Sequence, residues 1–318
     1  MARPRYILPR RRACYGRAVS VLEALDSHGY VPASGGSARF SVGRPDRETF
    51  PMAAADGSDV VVKVYADGRG EATFRNMNIL WRSSFGEVRR PPGLPRPIEY
   101  LRDRETDGGA LVMERLAAPT LLELGTLRDE HLEFAMQLAA DLHRSGVAAP
   151  RTRSAKKIVR SVERKAERVM ALAPHLGADL ARVAAALEEH RGRDAELVPC
   201  HGDFSPRNVL VGATRNAAID WDRLQLADPA RDVAYFGTWC WVQGLRSGVN
   251  DWSVLDRAVA SYQSRRPEVE LTSRIGFHVA AGLARIAHGL VELWPAQAHL
   301  VPRLSAEALR RLACESPS

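Results

Sequence analysis

The sequence predicts an α+β chain of two lobes, a small β-rich amino-terminal lobe over 1–115 and a larger, mainly helical lobe over 116–318. Three observations carry this expectation. At 318 residues the chain is longer than most single cores sustain. Between Val31 and Leu111 short β-type runs alternate with turn residues. Beyond Ala117 the apolar residues recur at helical spacing.

Taken in order, residues 1–30 read as a leading helix, with Ala18, Val21, Leu22 and Leu25 on one face. Ala38–Val42 reads as a strand, and the polar, proline-containing stretch 43–59 as a connector. Val60–Tyr65 (VVVKVY) is the strongest strand signal, being rich in β-branched residues with a single charge. A helix fits Glu71–Ser84, with Phe74, Met77, Leu80 and Trp81 on one face. Gly109–Leu116 closes the lobe as an apolar strand. In the second lobe, Asp129–Gly146 has an Asp in N-cap position, 3–4 apolar spacing and a glycine stop. Basic helices follow over 154–191, then two short strands with a loop between them, then helices over 229–312.

Composition excludes several classes. Apolar residues make up 45% and charged residues 26%, as in ordinary globular proteins. No apolar run reaches the ~20 residues of a membrane span; the longest, Val279–Trp294, is broken by Arg285, His288 and Glu292. The four cysteines are scattered without metal-ligand spacing, which argues against a disulfide framework or zinc site. These features predict a cytoplasmic protein. The net charge of +7 invites a nucleic-acid partner, yet Lys63, Lys156, Lys157 and Lys165 are the only lysines. So strong an arginine bias matches a GC-rich genome, and no basic–aromatic recognition pattern accompanies it, so no nucleic-acid partner is expected. The densest basic stretch, Arg151–Arg168, has two readings: a solvated helix face, or the wall of a pocket that meets an acidic substrate.

Chemistry concentrates in His201–Asp222, HGDFSPRNVLVGATRNAAIDWD. Asp203 stands five residues before Asn208, and Asp220 ends the apolar run that follows. Carboxylate and amide oxygens are hard ligands of the kind Mg²⁺ takes. A further carboxylate beside such a pair can orient and deprotonate an acceptor hydroxyl in phosphoryl transfer. Asp203 is thus the candidate base, and Asn208 and Asp220 the candidate metal ligands. His201 is expected to brace the loop; Arg207 reads either as a phosphate contact or as a neutral surface residue. Asp228 and Asp232 suit capping and bracing of a helix start.

Upstream, Gly35, Gly36 and Ser37 form either a phosphate-approaching loop or an ordinary turn. Lys63 inside its strand reads either as a contact to the donor phosphates, held by Glu71, or as a lysine on an edge strand.

HGDFSPRNVLV followed by IDWDRLQLADPARDVAYF resembles the signature of the aminoglycoside phosphotransferase and choline kinase superfamily, small-molecule relatives of the protein kinases. GGSARFSV, VVVKVY, LVMERLAAPTL and LAADLHRSG resemble, in order, that family's nucleotide loop, phosphate-lysine strand, hinge and pre-catalytic helix. The resemblance implies a protein-kinase-like fold, Mg²⁺, and ATP or GTP as donor. By it Asp203 is the base, Asn208 and Asp220 bind Mg²⁺, and Lys63 holds the donor phosphates. Backbone groups from Glu114 to Leu116 meet the purine. The acceptor is a small hydroxylated molecule, and the protein a monomer or homodimer. Thr238–Trp252 carries three tryptophans and a single acid, Asp251, which with the basic 151–168 stretch disfavours a polycationic acceptor. The expectation is a sugar- or nucleoside-containing antibiotic; an aminoglycoside kinase, a metabolic kinase of a sugar or amino-alcohol, and a silent kinase-like binding protein are the alternatives.

Overall fold

The structure, a computed structural model, describes residues 21, 23–32, 47–88, 93–192, 196–212 and 215–314. The predicted Ala38–Val42 strand, the loop Gly35–Gly36–Ser37 and most of the leading helix lie outside these residues; Val21 and residues 23–27 are helical. The chain divides into two compact units, Met1–Arg75 with Arg96–Arg115, and Asn76–Pro95 with Leu116–Ser318.

In the first unit, β1 (Val31–Pro32), β2 (Arg47–Ala53), β3 (Asp59–Tyr65), β4 (Pro97–Arg102) and β5 (Gly109–Glu114) form one antiparallel sheet in the order β1-β2-β3-β5-β4. β2 corrects the expected connector. Pro51 and the charges of RETFPMA obscure its strand character, yet it pairs with β3 from Arg47↔Tyr65 to Ala53↔Asp59. β3 is therefore interior, and Lys63 is not an edge lysine: its register neighbours are Thr49 and Leu111. Val60 and Val62 join the buried cluster of Met52, Leu101, Ala110 and Val112. The two-residue period puts Lys63 on the opposite face with Val61 and Tyr65. Helix α1 (Arg69–Trp81) begins two residues before the predicted Glu71. A Cβ on Gly70 would lie 2.7 Å from both the Tyr65 and Tyr100 rings, so that only glycine permits this approach of helix to sheet.

The second unit is mainly helical: α2 (Ser84–Val88), α3 (Asp129–Arg144), α4 (Ala155–Leu172), α5 (Pro174–Glu189), α6 (Ala230–Arg246), α7 (Ser253–Arg265), α8 (Thr272–Leu293) and α9 (Val301–Ala313). Asp129 is not the N-cap of α3; Arg128 holds that position with extended backbone, and Asp129 stands in the first turn, where a carboxylate still favours the helix dipole. The predicted glycine stop is present, with Gly146 at φ 64°. Ser154 caps α4, accepting from Lys157 N at 3.4 Å. One apolar cluster joins α4–α9 and takes in Trp239 and Trp241, while Trp252 stacks on Trp241 with ring centroids 4.7 Å apart. These tryptophans are core, not an open platform. Among the described residues no helix is long and apolar enough to cross a membrane.

Short strands interrupt the helices where the signature lies. β6 (Thr152–Arg153), β7 (Val198–Cys200) and β10 (Gln225–Ala227) form a sheet in the order β6-β10-β7. β8 (Val209–Leu210) and β9 (Ala217–Ala218) make an antiparallel pair.

Candidate functional site

The loop from His201 to Asn208 leaves β7 with backbone amides that need partners once buried. Asp232, in the first turn of α6 and fully buried, supplies them: its carboxylate accepts from His201 N at 2.6 Å and Gly202 N at 2.9 Å. Burial alone would raise its pKa. The hydrogen bond and charge of His143, aided by His201 and the Gly202 amide, outweigh burial and hold Asp232 below the usual carboxylate range. Gly202 has φ 76°, and a Cβ there would fall 2.5 Å from the Arg223 carbonyl. The expected brace role of His201 is visible in its ring, which contacts the Ile219 carbonyl through Nε2 at 2.9 Å and receives Asp203 N at Nδ1 at 3.2 Å.

Asp203, Asn208 and Asp220 are tied together by backbone bonds. Asn208 Nδ2 donates to the Asp203 carbonyl at 2.9 Å. Its own carbonyl accepts Ile219 N at 2.9 Å, continuing the β8–β9 ladder and bringing Asp220 alongside. Asp220 has φ 68°, the one described non-glycine residue in the left-handed region. The turn after it is fixed by Asn76 Nδ2 on the Trp221 carbonyl (3.0 Å) and by the Trp221 indole N–H on Ala218 O (3.0 Å). Strained backbone that its surroundings over-determine clusters at functional sites, which keeps Asp220 a candidate.

The charges around Asp203 were not all foreseen. Arg285 Nη2 lies 2.8 Å from Oδ1 while its Nη1 donates to the Gly202 carbonyl at 2.7 Å. Arg207 approaches both carboxylate oxygens at 3.3–3.4 Å, and Arg223 stands 3.9 Å from Oδ2. Burial, the largest influence, pushes the Asp203 pKa up; Arg285, then Arg207 and Arg223, prevail and bring it down to about 2. Arg285 is itself seated 4.3 Å over the Tyr235 ring. The sequence held a signal for it, a lone arginine inside the apolar run of α8, where a buried charge requires a partner. Arg207 has a built position too, 4.7 Å over the Trp239 ring.

The remaining predicted residues divide between the units. Lys63, Glu71 and Glu114 lie in the first: Lys63 is half-buried on β3 with Nζ 5.1 Å from the Tyr65 ring centroid, and Glu71 accepts from Arg102 at 2.7 Å. Glu114 accepts Arg96 N on its side chain at 2.9 Å. Leu116 begins the longer segment of the second unit, its carbonyl taken by Ala118 N at 2.9 Å. Asp228 in the second unit does cap and brace, accepting Ala230 N at 2.9 Å and pairing with Arg274 and His278.

No match appears among curated protein sequences. Solved structures share the fold. The apo form of a thermostable mutant of aminoglycoside phosphotransferase APH(4)-Ia aligns over 88% of this chain and 95% of its own at 14% identity (TM-score 0.64). Macrolide 2'-phosphotransferase MphH from Brachybacterium faecium aligns over 91% and 97% at 18% identity (TM-score 0.56). Spectinomycin phosphotransferase APH(9)-Ia, in complex with ADP and spectinomycin, aligns over 87% and 92% at 14% identity (TM-score 0.57). The two-lobed, kinase-like α+β fold is thereby shown. The family described as "Phosphotransferase enzyme family" matches residues 43–267, the span that holds β3, the His201 loop and Asp220, and the chain belongs to that family.

Proposed function

We propose that this protein moves the γ-phosphoryl group of ATP or GTP to a hydroxyl of a small molecule in an Mg²⁺-dependent reaction. The observation that carries the reading is the backbone linkage that sets Asp203, Asn208 and Asp220 side by side in a buried loop. Asn208 Nδ2 is engaged by the Asp203 carbonyl, which leaves Oδ1 as its ligand atom; with the Asp220 carboxylate it offers the hard oxygen pair that Mg²⁺ prefers. When bound, the ion would neutralise charge on the donor phosphates.

Asp203 accepts the acceptor hydroxyl's hydrogen bond and points its oxygen at the γ-phosphorus. A bond forms between that oxygen and phosphorus, the bond to the β–γ bridging oxygen breaks, and the nucleoside diphosphate leaves with the electron pair. Held at about 2, Asp203 is a weak base. It therefore orients the hydroxyl first and takes the proton late, once the forming P–O bond has acidified it. In this reading Gly35, Gly36, Ser37 and Lys63 hold the donor phosphates and backbone groups at Glu114 and Leu116 meet the purine, while Glu71, expected to hold Lys63, pairs with Arg102 instead. The nucleotide is supported by relatives of the same fold solved with ADP and hygromycin B or with ADP and spectinomycin. Those relatives also keep an antibiotic among the candidate acceptors here.

The test is a mass-spectrometric screen of hydroxylated compounds with ATP or GTP and Mg²⁺, scored by gain of HPO₃. Turnover that vanishes in Asp203→Asn supports the proposal; nucleotide binding with no acceptor ever modified leaves a silent kinase-like protein as the better reading.

A further inference from the structure

A recess inside the second unit stands beside Asp203 and has an unusual electrostatic character. It is open to solvent, and its walls carry Arg153, Lys165, Arg223, Arg231 and Arg285 with no acidic residue among them. The cations come from five separate elements: β6, α4, the turn after Asp220, α6 and α8. Two of them, Arg223 and Arg285, also reach Asp203, so the recess adjoins the Asp203 carboxylate.

The remaining three are poorly compensated. Among the described residues no carboxylate lies within ion-pair distance of Arg153, Lys165 or Arg231, although Lys165 Nζ bonds the Ser161 hydroxyl at 2.6 Å. Arg231 Nε is buried without a hydrogen-bond partner. At the same wall His278, 5% exposed, has its Nε2 on Asp228 and its Nδ1 buried and unpartnered. Buried polar atoms left without partners are rare and costly, and like charges gathered in a recess repel. Burial and then the neighbouring arginines lower Lys165 to about 7, so the cluster already strains against its own charge. The α4 spacing shows that the arrangement is selective. Lys156, Lys157, Arg160, Arg164 and Arg168 point to solvent, whereas Lys165 lines the recess with Ile158, Ser161 and Val162. The basic 151–168 stretch therefore divides, most of its cations on a solvated helix face and Arg153 and Lys165 on the wall of the recess.

We infer that the acceptor is a hydroxylated compound bearing an oxyanion, a phosphate or a carboxylate, which Arg153, Lys165 and Arg231 bind while its hydroxyl meets Asp203. The inference rests on the phosphotransferase reading for the hydroxyl, and on the recess alone for the anion. It separates this chain from a kinase of polycationic acceptors, which five converging cations would repel.

The experiment has two arms on the full chain. In the first, a neutral sugar, its sugar acid and its sugar phosphate are offered with ATP or GTP and Mg²⁺. The anionic members are expected to show at least tenfold higher kcat/KM than the neutral one, and the better of the two identifies the oxyanion. Arg231→Met and Lys165→Met are expected to raise KM for that anion at least tenfold without moving the nucleotide KM. In the second arm inorganic phosphate is titrated at constant ionic strength and the melting temperature followed; stabilisation seen in wild type and lost in Arg231→Met, Arg153→Met or Lys165→Met supports the recess as an anion site even if no acceptor is turned over. A preference for neutral or cationic acceptors overturns the inference. So does an equal fall in kcat for every acceptor in Arg231→Met, which would make the recess part of the phosphoryl clamp. Phosphate stabilisation unchanged by all three substitutions overturns it as well.

Discussion

Asp232 decides whether the His201 loop has a shape at all, and replacing it gives a quantitative test of the site's construction. Asp232→Ala removes two charge-assisted hydrogen bonds, from His201 N at 2.6 Å and Gly202 N at 2.9 Å, and leaves both amides buried. Each such bond contributes about 1.5–3 kcal/mol. Relief of the buried charge offsets part of that sum, for a net loss of about 3–4 kcal/mol. At roughly 2–4 °C per kcal/mol for a unit of this size, the melting temperature should fall by about 10 °C. Asp232→Asn keeps one acceptor and should lose about half as much. Because the loop carries Asp203 and Asn208, a displacement near 1 Å should also lower kcat by about 10²-fold. The pH dependence has a fixed sign. The folded-state pKa of Asp232 is lowered, so its contribution is present above the unfolded carboxylate pKa, near 3.9, and is lost as pH falls through the folded value. The melting-temperature gap between wild type and Asp232→Ala should therefore close below pH ~4. Differential scanning calorimetry from pH 3 to 8, with phosphotransfer rates at pH 7.5, measures both effects. A variant that melts and turns over like wild type would refute the bracing role.

Two other outcomes follow from the same geometry. Asp220 adopts φ 68°, so Asp220→Gly should relieve about 1 kcal/mol of backbone strain and leave the melting temperature unchanged or raised, while phosphotransfer is lost with the carboxylate. A variant that is both inactive and strongly destabilised would show that the carboxylate is structural. Lys165 is held at about 7, which disfavours its charged form in the folded state, so the native protein gains stability as pH rises from 7 towards the unfolded value of ~10.4. Lys165→Met should therefore raise the melting temperature at pH 6 and do little at pH 10; an equal shift at both would rule out the repulsion.

Much of the frame could be read from the chain because its signals are local. The β-branched run of β3 and the 3–4 spacing of α3 survive almost residue for residue. β2 was hidden because Pro51 and the polar residues Arg47, Glu48 and Thr49 mask a strand that only its pairing with β3 explains. The chemistry of the His201 loop was legible as residue types. Its mutual bracing was not, since Asp232 lies about thirty residues on and reaches back through the fold. The recess was least legible of all. Arg153, Lys165, Arg231 and Arg285 come from distant segments, and nothing in their separate neighbourhoods shows that they share a wall. Two traces were visible, Arg285 as a charge inside an apolar helix and the basic 151–168 stretch with its pocket-wall reading.

The most direct test of the central claim is transfer of label from γ-labelled ATP or GTP to a small hydroxylated acceptor in the presence of Mg²⁺, wild type against Asp203→Asn. A wild-type enzyme that labels the acceptor, and a folded Asp203→Asn variant slower by about 10²–10⁴-fold, is the predicted result. Equal rates in the two proteins would remove Asp203 from the chemistry and contradict the account.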